Sequence, residues 1–208
     1  MTATVEKKSE TIEWSVASRP LTGQIVSGDL HVVKFFDDCV LLAVIDGVGH
    51  GNEADKAAHV AAEIIEKNTS ESTISLMKLC HEALANTRGA VITLACLNFH
   101  ENAMNWLGVG NVEGSLFRAD PNVTPAHENI LLRGGLVGYQ LPSLQASVLP
   151  IMRGDLLIFA TDGLHAGFDQ RINLTETPKQ IVDGILSRHF KGTDDALVLA
   201  VRYLGASQ

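Results

Sequence analysis

Aspartates recur in this sequence where an apolar stretch begins or ends. Asp46 follows "LLAVI", and Asp162 follows "LLIFAT". Asp194 and Asp195 come directly before "ALVLAV", and Asp29 lies in "SGDL", ahead of the stretch that leads to Asp46. An Asp-Gly pair after a strand is typical of a turn, so no single one of these aspartates predicts a functional site.

Several such carboxylates together predict different chemistry, because neighbouring strands can bring their ends to one place. Unpaired carboxylates in a partly dry site repel one another and shift each other's pKa. A divalent cation relieves this repulsion, and carboxylate, carbonyl and water oxygens favour hard ions such as Mg²⁺ or Mn²⁺. Gly47 follows Asp46 and has no side chain, so its carbonyl could face such an ion.

Apolar patterning predicts the elements that position these aspartates. "EWSVASRPL" and "HVVKFFDDCVLLAVID" predict strands, with a hairpin turn at Asp37-Asp38, and the loop "TGQIVSGDL" joins them. Helical spacing begins at Asn52, which we expect to cap the first turn. A second helix is predicted over about 72–86, capped by Ser72 or Thr73.

Strands dominate the rest of the chain. They are predicted at "AVITLACLNFH", "MNWLGVGN", "GSLFRAD", "ASVLPI", "LLIFATDG" and "DDALVLAVRYL". A last helix starts at Thr177, with Pro178 at its first position. Two groups of strands with helices between them predict an α+β fold, in which one sheet packs on another and helices cover the outer faces.

Composition narrows the class of protein. The 208 residues fit one domain, and the 46% hydrophobic content suits a globular protein with a sizeable core. The net charge of −8, without a Lys/Arg cluster, argues against nucleic acid as the partner. Three scattered cysteines and no apolar run of about 20 residues favour a cytoplasmic protein without a signal peptide or membrane span.

Other catalytic chemistries lack their sequence motifs. No G-x-S-x-G elbow is present, and the histidines show no zinc-ligand spacing. The glycine-rich stretches "GVGNVEG" and "RGGLVG" match neither a phosphate-binding loop nor a dinucleotide fingerprint, and we interpret them as tight turns.

Seven motifs in one order resemble the bacterial branch of the metal-dependent Ser/Thr protein phosphatases (the PPM, or type 2C, family). This branch acts on regulators of sigma-factor partner switching. The motifs are "SGD" (27–29), "VIDGVGHG" (44–51), "TRGAVIT" (87–93), "GVGN" (108–111), "LLRGGLVG" (131–138), "GDLLIFATDGL" (154–164) and "DDALVLAV" (194–201). The resemblance covers residues from about 25 to 204, and the stand-alone architecture is most similar to RsbX-type stressosome phosphatases.

The resemblance implies a four-layer αββα sandwich of two antiparallel sheets flanked by helices, with a binuclear Mn²⁺ or Mg²⁺ centre at one edge. Carried over residue by residue, it implies that Asp46 bridges the two metals and that Gly47 supplies its carbonyl. It also implies that Asp29 helps to hold one metal, through water or directly. Residues 1–208 would then form a single catalytic domain.

The same resemblance implies that Asp162 and Asp194 ligate the other metal. We prefer Asp194 to Asp195, because the family ligand is the aspartate that is followed by Asp or Asn. With Asp46, these residues would form a catalytic set in which metal-activated water attacks a phosphoserine or phosphothreonine, without a covalent phosphoenzyme. The arginine that binds phosphate in many eukaryotic members has no clear counterpart before Asp29, since Arg19 lies ten residues upstream.

The implied substrates are phosphorylated STAS-domain scaffold proteins of the stressosome. One alternative is a phosphatase that acts on a small phosphorylated anti-sigma-factor antagonist. Another is a non-catalytic binding module that keeps the sandwich and lacks the chemistry. Against the second stands the presence of all four metal-site aspartates, because folding alone does not reward a cluster of carboxylates without an ion.

Overall fold

The computed structural model describes residues 2–170 and 172–205. In chain order these residues form twelve strands and three helices: β1 Ala3–Lys8, β2 Ile12–Arg19, β3 Asp29–Phe36, β4 Cys39–Gly47, α1 Asn52–Lys67, α2 Thr73–Leu84, β5 Ala90–Asn98, β6 Ala103–Val109, β7 Glu113–Phe117, β8 His127–Asn129, β9 Leu132–Arg133, β10 Ser147–Pro150, β11 Leu156–Ala160, α3 Pro178–His189 and β12 Ala196–Tyr203.

The strands form two sheets. The first sheet has the order β1-β2-β12-β11-β7-β8, and the second has the order β10-β6-β5-β4-β3. All pairs along these two paths are antiparallel, as predicted, but β9 adds to β6 as a parallel neighbour. This departure is local, because β9 is only two residues long and follows a connection that crosses back from β8 in the first sheet.

Three hydrophobic layers hold four layers of secondary structure together. The middle layer packs the two sheets face to face and includes Trp14, Trp106 and Phe159. Helices α1 and α2 pack on the outer face of the second sheet, and α3 packs on the outer face of the first. The predicted αββα sandwich is therefore confirmed, with apolar residues on both faces of the central strands.

Helix starts agree with the predicted caps at two of three positions. Ser72 Oγ accepts from the Ser75 amide at 3.1 Å, and Thr177 forms a capping box with Pro178 at the first position. The prediction that Asn52 caps α1 is wrong. Gly51 is the N-cap, at φ 73°, and offers no side-chain hydrogen bond. Glycine adopts this backbone conformation freely, so the turn into α1 forms there.

Among the residues that the structure describes, no helix is long and apolar enough to cross a membrane.

Candidate functional site

Two of the predicted aspartates meet at the end of a hairpin in the second sheet. Asp29 begins β3 and lies directly opposite Asp46, the penultimate residue of β4. Directly opposed residues of an antiparallel pair project from the same face of the sheet. The side chain of Asp29 is buried, with 4% of its surface exposed, and Asp46 is partly buried.

The other two predicted aspartates come from neighbouring strands of the first sheet. Strands β11 and β12 pair up to Ala160 and Val198, so Asp162 and Asp194 lie on the loops at that end. A Cβ atom on Gly163 would lie 1.9 Å from the carbonyl oxygen of Asp195. The loops are therefore in direct contact, and only glycine permits this approach.

A threonine joins the two pairs across the sandwich. Thr161 Oγ1, from the first sheet, donates to Asp29 Oδ2 in the second sheet at 2.7 Å. The same hydroxyl accepts from the Leu197 amide at 2.8 Å. Since Thr161 is buried, both bonds lie out of water, and they fix the distance between the two sheets beside the carboxylates.

The carboxylates oppose one another's ionisation. Burial, followed by the charges of Asp162, Asp194 and Asp195, raises the pKa of Asp46 to about 8. Burial and the charge of Asp46 also raise the pKa of Asp29 well above its usual range, although the Thr161 bond acts in the opposite direction. These mutual effects bring all four predicted aspartates into one electrostatic cluster.

Asp194 has a neighbour that favours its charge. Burial and the charge of Asp162 raise the pKa of Asp194, whereas the bond from the Asp195 amide and the nearby His50 lower it. His50 is exposed on the loop between β4 and α1, so this loop lies beside Asp194.

Asp194 and Asp195 have different surroundings. Asp195 is 3% exposed, and its two carboxylate oxygens accept from the Leu21 and Gly28 amides, each at 2.7 Å. It therefore holds the loop that leads to Asp29. Asp194 is partly buried, and within the described part of the chain its carboxylate accepts one hydrogen bond, from the Asp195 amide at 2.9 Å, which leaves lone pairs free.

The donor set fits a hard divalent cation. Carboxylates from both sheets face one another, and each raises another's pKa, which is the arrangement that a cation would relieve. In the described ranges, no group of three or more Asp, Glu, His or Cys side chains is placed to hold a metal ion by itself. An ion at this edge would therefore need water or carbonyl oxygens beside the carboxylates, and Mg²⁺ binds in this way, through one or two carboxylates and several waters.

Gly47 is a glycine for a packing reason that the sequence did not reveal. Its N–H donates to the Gly28 carbonyl at 3.1 Å. A Cβ atom at Gly47 would lie 2.1 Å from the carbonyl oxygen of Ala54 in α1. The close approach of the helix, rather than of a ligand, therefore explains the residue type, and the role of its carbonyl stays a prediction.

Two site residues were missed by sequence reasoning. Asn111 Nδ2 donates to Asp162 Oδ2 at 2.7 Å, and Lys191 Nζ donates to the Asp162 carbonyl at 2.5 Å. Asn111 belongs to the quoted "GVGN" motif, but it was interpreted only as part of a turn. No local sequence pattern identifies Lys191 as a site residue, because it approaches Asp162 only when the chain folds.

A cavity of about 440 Å³ lies elsewhere, between the segment after Asp162 and α3. The described residues that line it include none of the four aspartates; they are Gly167, Gln170, Ile172, Asn173, Glu176, Ile181, Arg188 and His189. The carboxylate cluster therefore lies outside this cavity.

Known proteins with related sequences point to one family. The model of the family described as stage II sporulation protein E (SpoIIE) matches residues 37–204. The phosphoserine phosphatase RsbX of Bacillus subtilis (strain 168) is 26% identical to this chain over 161 residues, which are 76% of this chain and 78% of RsbX.

Solved structures show the same fold. A chain from a structure of the bacterial stressosome, described as a modular system adapted to control secondary messenger signalling, is 28% identical. It has a TM-score of 0.83 and covers 92% of this chain and 99% of its own length. A crystal structure of RsbX in complex with magnesium has a TM-score of 0.86 at 22% identity, over 97% of this chain and 100% of RsbX.

Proposed function

We propose a metal centre and a substrate for this protein, on the premise that it belongs to the SpoIIE family. It is a metal-dependent serine/threonine protein phosphatase of the sigma-regulator branch. The observation that carries the proposal is the meeting of four strand-end aspartates, two from each sheet, in one cluster.

The proposed centre would hold two ions, Mn²⁺ or Mg²⁺, with Asp46 shared between them and Gly47 offering its carbonyl. Asp162 and Asp194 would help to hold one ion, and Asp29 would help to hold the other, directly or through water. The raised pKa of Asp46, caused by burial and then by neighbouring carboxylates, supports the assignment, because bound cations would stabilise the ionised form.

The ions, when bound, supply a water of lowered pKa and offset the charge of the phosphate oxygens. The protein's own residues orient the ligands. Asn111 fixes one oxygen of Asp162, and Thr161 fixes one oxygen of Asp29. Hydrolysis breaks the bond between phosphorus and the seryl or threonyl oxygen, and water supplies the incoming oxygen. No side-chain nucleophile is needed.

The proposed substrates are phosphorylated STAS-domain proteins of the stressosome. The identity to RsbX and the likeness to a chain of the bacterial stressosome support this choice. The sigma-regulator branch, to which the comparisons assign this chain, leaves a second candidate, a phosphorylated anti-sigma-factor antagonist. In either case we place the enzyme in the cytoplasm and treat residues 1–208 as a single catalytic domain.

Hydrolysis of a phosphothreonine peptide tests the chemistry. We expect turnover with Mn²⁺ or Mg²⁺ and none in EDTA. Asp46→Asn and Asp194→Asn should each lower kcat/KM by more than about 100-fold, since losing even an outer partner of a metal ligand costs 10- to 100-fold. Asp120→Asn is the control, because Asp120 is exposed and its side chain bonds to Asn122 within its own turn.

Further variants and measurements make the test decisive. Asp195→Asn should act mainly on stability, because it weakens the hold on Leu21 and Gly28. Full activity in Asp194→Asn would reject that ligand. A wild type that hydrolyses nothing with any ion and binds none by calorimetry would be a binding module.

Faster turnover of a lone phosphorylated antagonist than of phosphorylated stressosome subunits would favour the second substrate.

A further inference from the structure

We infer that Arg88 contacts the phosphate group of the substrate, an inference that rests on the proposed function and deepens it. Arg88 lies between α2 and β5 and is exposed. It takes no part in the carboxylate cluster described above. Three features of Arg88 support the inference: its position, its free hydrogen-bond donors and the space that a glycine leaves for it.

The position of Arg88 follows from the β4–β5 ladder. Asp46 pairs with Val91, and Gly47 pairs with Ala90. The next bond continues the ladder, since the Val48 amide donates to the Gly89 carbonyl at 3.1 Å. Arg88 is one residue further along, so the backbone brings it beside the loop that leaves Asp46.

The guanidinium of Arg88 lies directly on that loop. Its Nη1 atom is 2.9 Å from the place where Gly49 would carry a Cβ atom. Gly49 also has φ 92°, a conformation that side chains rarely adopt. A glycine three residues after Asp46 thus makes room for an arginine cation on the loop that leaves the carboxylate cluster.

The donors of this guanidinium are free. In residues 2–170 and 172–205, Arg88 makes no hydrogen bond, ion pair or ring contact. Several other cations in the fold are engaged: Arg118 pairs with Asp155 and Glu128, and Lys191 donates to the Asp162 carbonyl. Arg19, the upstream arginine of the sequence, lies over the Phe190 ring at 4.5 Å.

Free guanidinium donors on the loop that leaves Asp46 match a phosphate ester in both charge and geometry. The planar fork offers two parallel N–H groups to two phosphate oxygens, and a bidentate contact of this kind is stronger than a neutral hydrogen bond. A bound phosphate would face cations on both sides: the ions held by the aspartates and the fork of Arg88.

The test measures binding as well as turnover. With Mg²⁺ present, the affinity for inorganic phosphate is measured by calorimetry, and KM is measured with a phosphothreonine peptide. Arg88→Ala should weaken both by roughly 10- to 100-fold, the usual cost of losing a hydrogen bond to a charged group. Arg88→Lys should recover only part of the loss, because it keeps the charge and lacks the fork.

Arg153→Ala is the matched control. Arg153 is also exposed, but it lies in the turn before β11, whereas Asp162 follows the other end of that strand. Phosphate affinity and KM in Arg88→Ala within twofold of wild type would overturn the inference while leaving the phosphatase assignment intact. A wild type that binds phosphate through Arg88 but hydrolyses nothing would keep the inference and reject the proposed function.

Discussion

Asp29 and Asp46 are carboxyl groups whose ionised forms the metal-free protein disfavours. Burial raises the pKa of both side chains, and each lies beside other aspartates. A carboxyl whose folded pKa exceeds its unfolded value holds its proton more tightly in the folded state. It therefore favours folding at low pH, and this contribution is lost as the pH rises from about 4 to about 8.

Asp46→Asn should consequently stabilise the metal-free protein, even though it removes a proposed ligand. The neutral amide avoids the cost of ionising a buried group, so the free energy of unfolding at pH 8 should rise on the order of 2 kcal/mol. The gap between variant and wild type should be smaller at pH 5. Urea denaturation in EDTA at both values measures it, and parallel pH curves for the two proteins would contradict the expectation.

The four aspartates could be predicted as a cluster from the sequence because their signal is local: an apolar strand that ends or begins at a carboxylate. Their supporting residues could not be found in this way. Thr161 and Asp29 are 132 residues apart in the chain, and Asn111 and Asp162 are 51 apart. Which loops meet depends on how the two sheets stack, and no short stretch of sequence encodes that stacking.

At the scale of elements, strong periodic patterns predicted structure well and weak ones did not. Strands β4, β5, β11 and β12 are apolar runs, and all were predicted. Strand β1, "ATVEKK", was missed, because it is an edge strand with mostly exposed side chains and no alternation of apolar residues. Pairing with β2 makes it a strand, and that pairing is a tertiary contact.

Gly163 tests whether the close approach of two loops positions the site. Gly163→Ala would place a methyl group 1.9 Å from the carbonyl of Asp195, where the backbone must move. We expect a loss of stability of about 1–3 kcal/mol, as for other overpacked sites. Phosphatase activity should fall more than stability explains, because Asp162 and Asp194 move apart. Thermal unfolding and kcat/KM measure the two effects.

Gly134→Ala is the control for this substitution. A Cβ atom at Gly134 would meet nothing within 4 Å, and no positive φ is recorded for this residue. Stability and activity should therefore stay near wild type. An active, fully stable Gly163→Ala protein would mean that the loops can separate without harm to the site.

Across the whole molecule, the proposed centre joins the two halves of the sandwich. Asp29 and Asp46 belong to the second sheet, whereas Asp162 and Asp194 follow from strands of the first. Direct polar contacts at this edge include the Thr161–Asp29 bond and the bonds from Leu21 and Gly28 to Asp195. Ions that bind both pairs of aspartates would add a link between the sheets and remove the repulsion between their carboxylates.

Metal binding should therefore stabilise the whole fold rather than one loop. A ligand that binds only the folded state adds RT ln(1 + [L]/Kd), which is about 2.7 kcal/mol at a concentration 100 times Kd. At pH 8 we expect Mg²⁺ or Mn²⁺ to raise the midpoint of thermal unfolding of wild type relative to EDTA. The rise should be much smaller in Asp46→Asn, so the order of stability of the two proteins should reverse between EDTA and metal.

Hydrogen exchange locates the effect. Because the ions would connect both sheets, added metal should slow amide exchange at the ends of β3 and β4 and also in the loops after β11 and before β12. Protection confined to the β3–β4 end would mean that the ion binds Asp29 and Asp46 alone, and the two-sheet centre would be wrong. Protection at both ends, lost in Asp46→Asn, would identify the link between the sheets as the site of the ion.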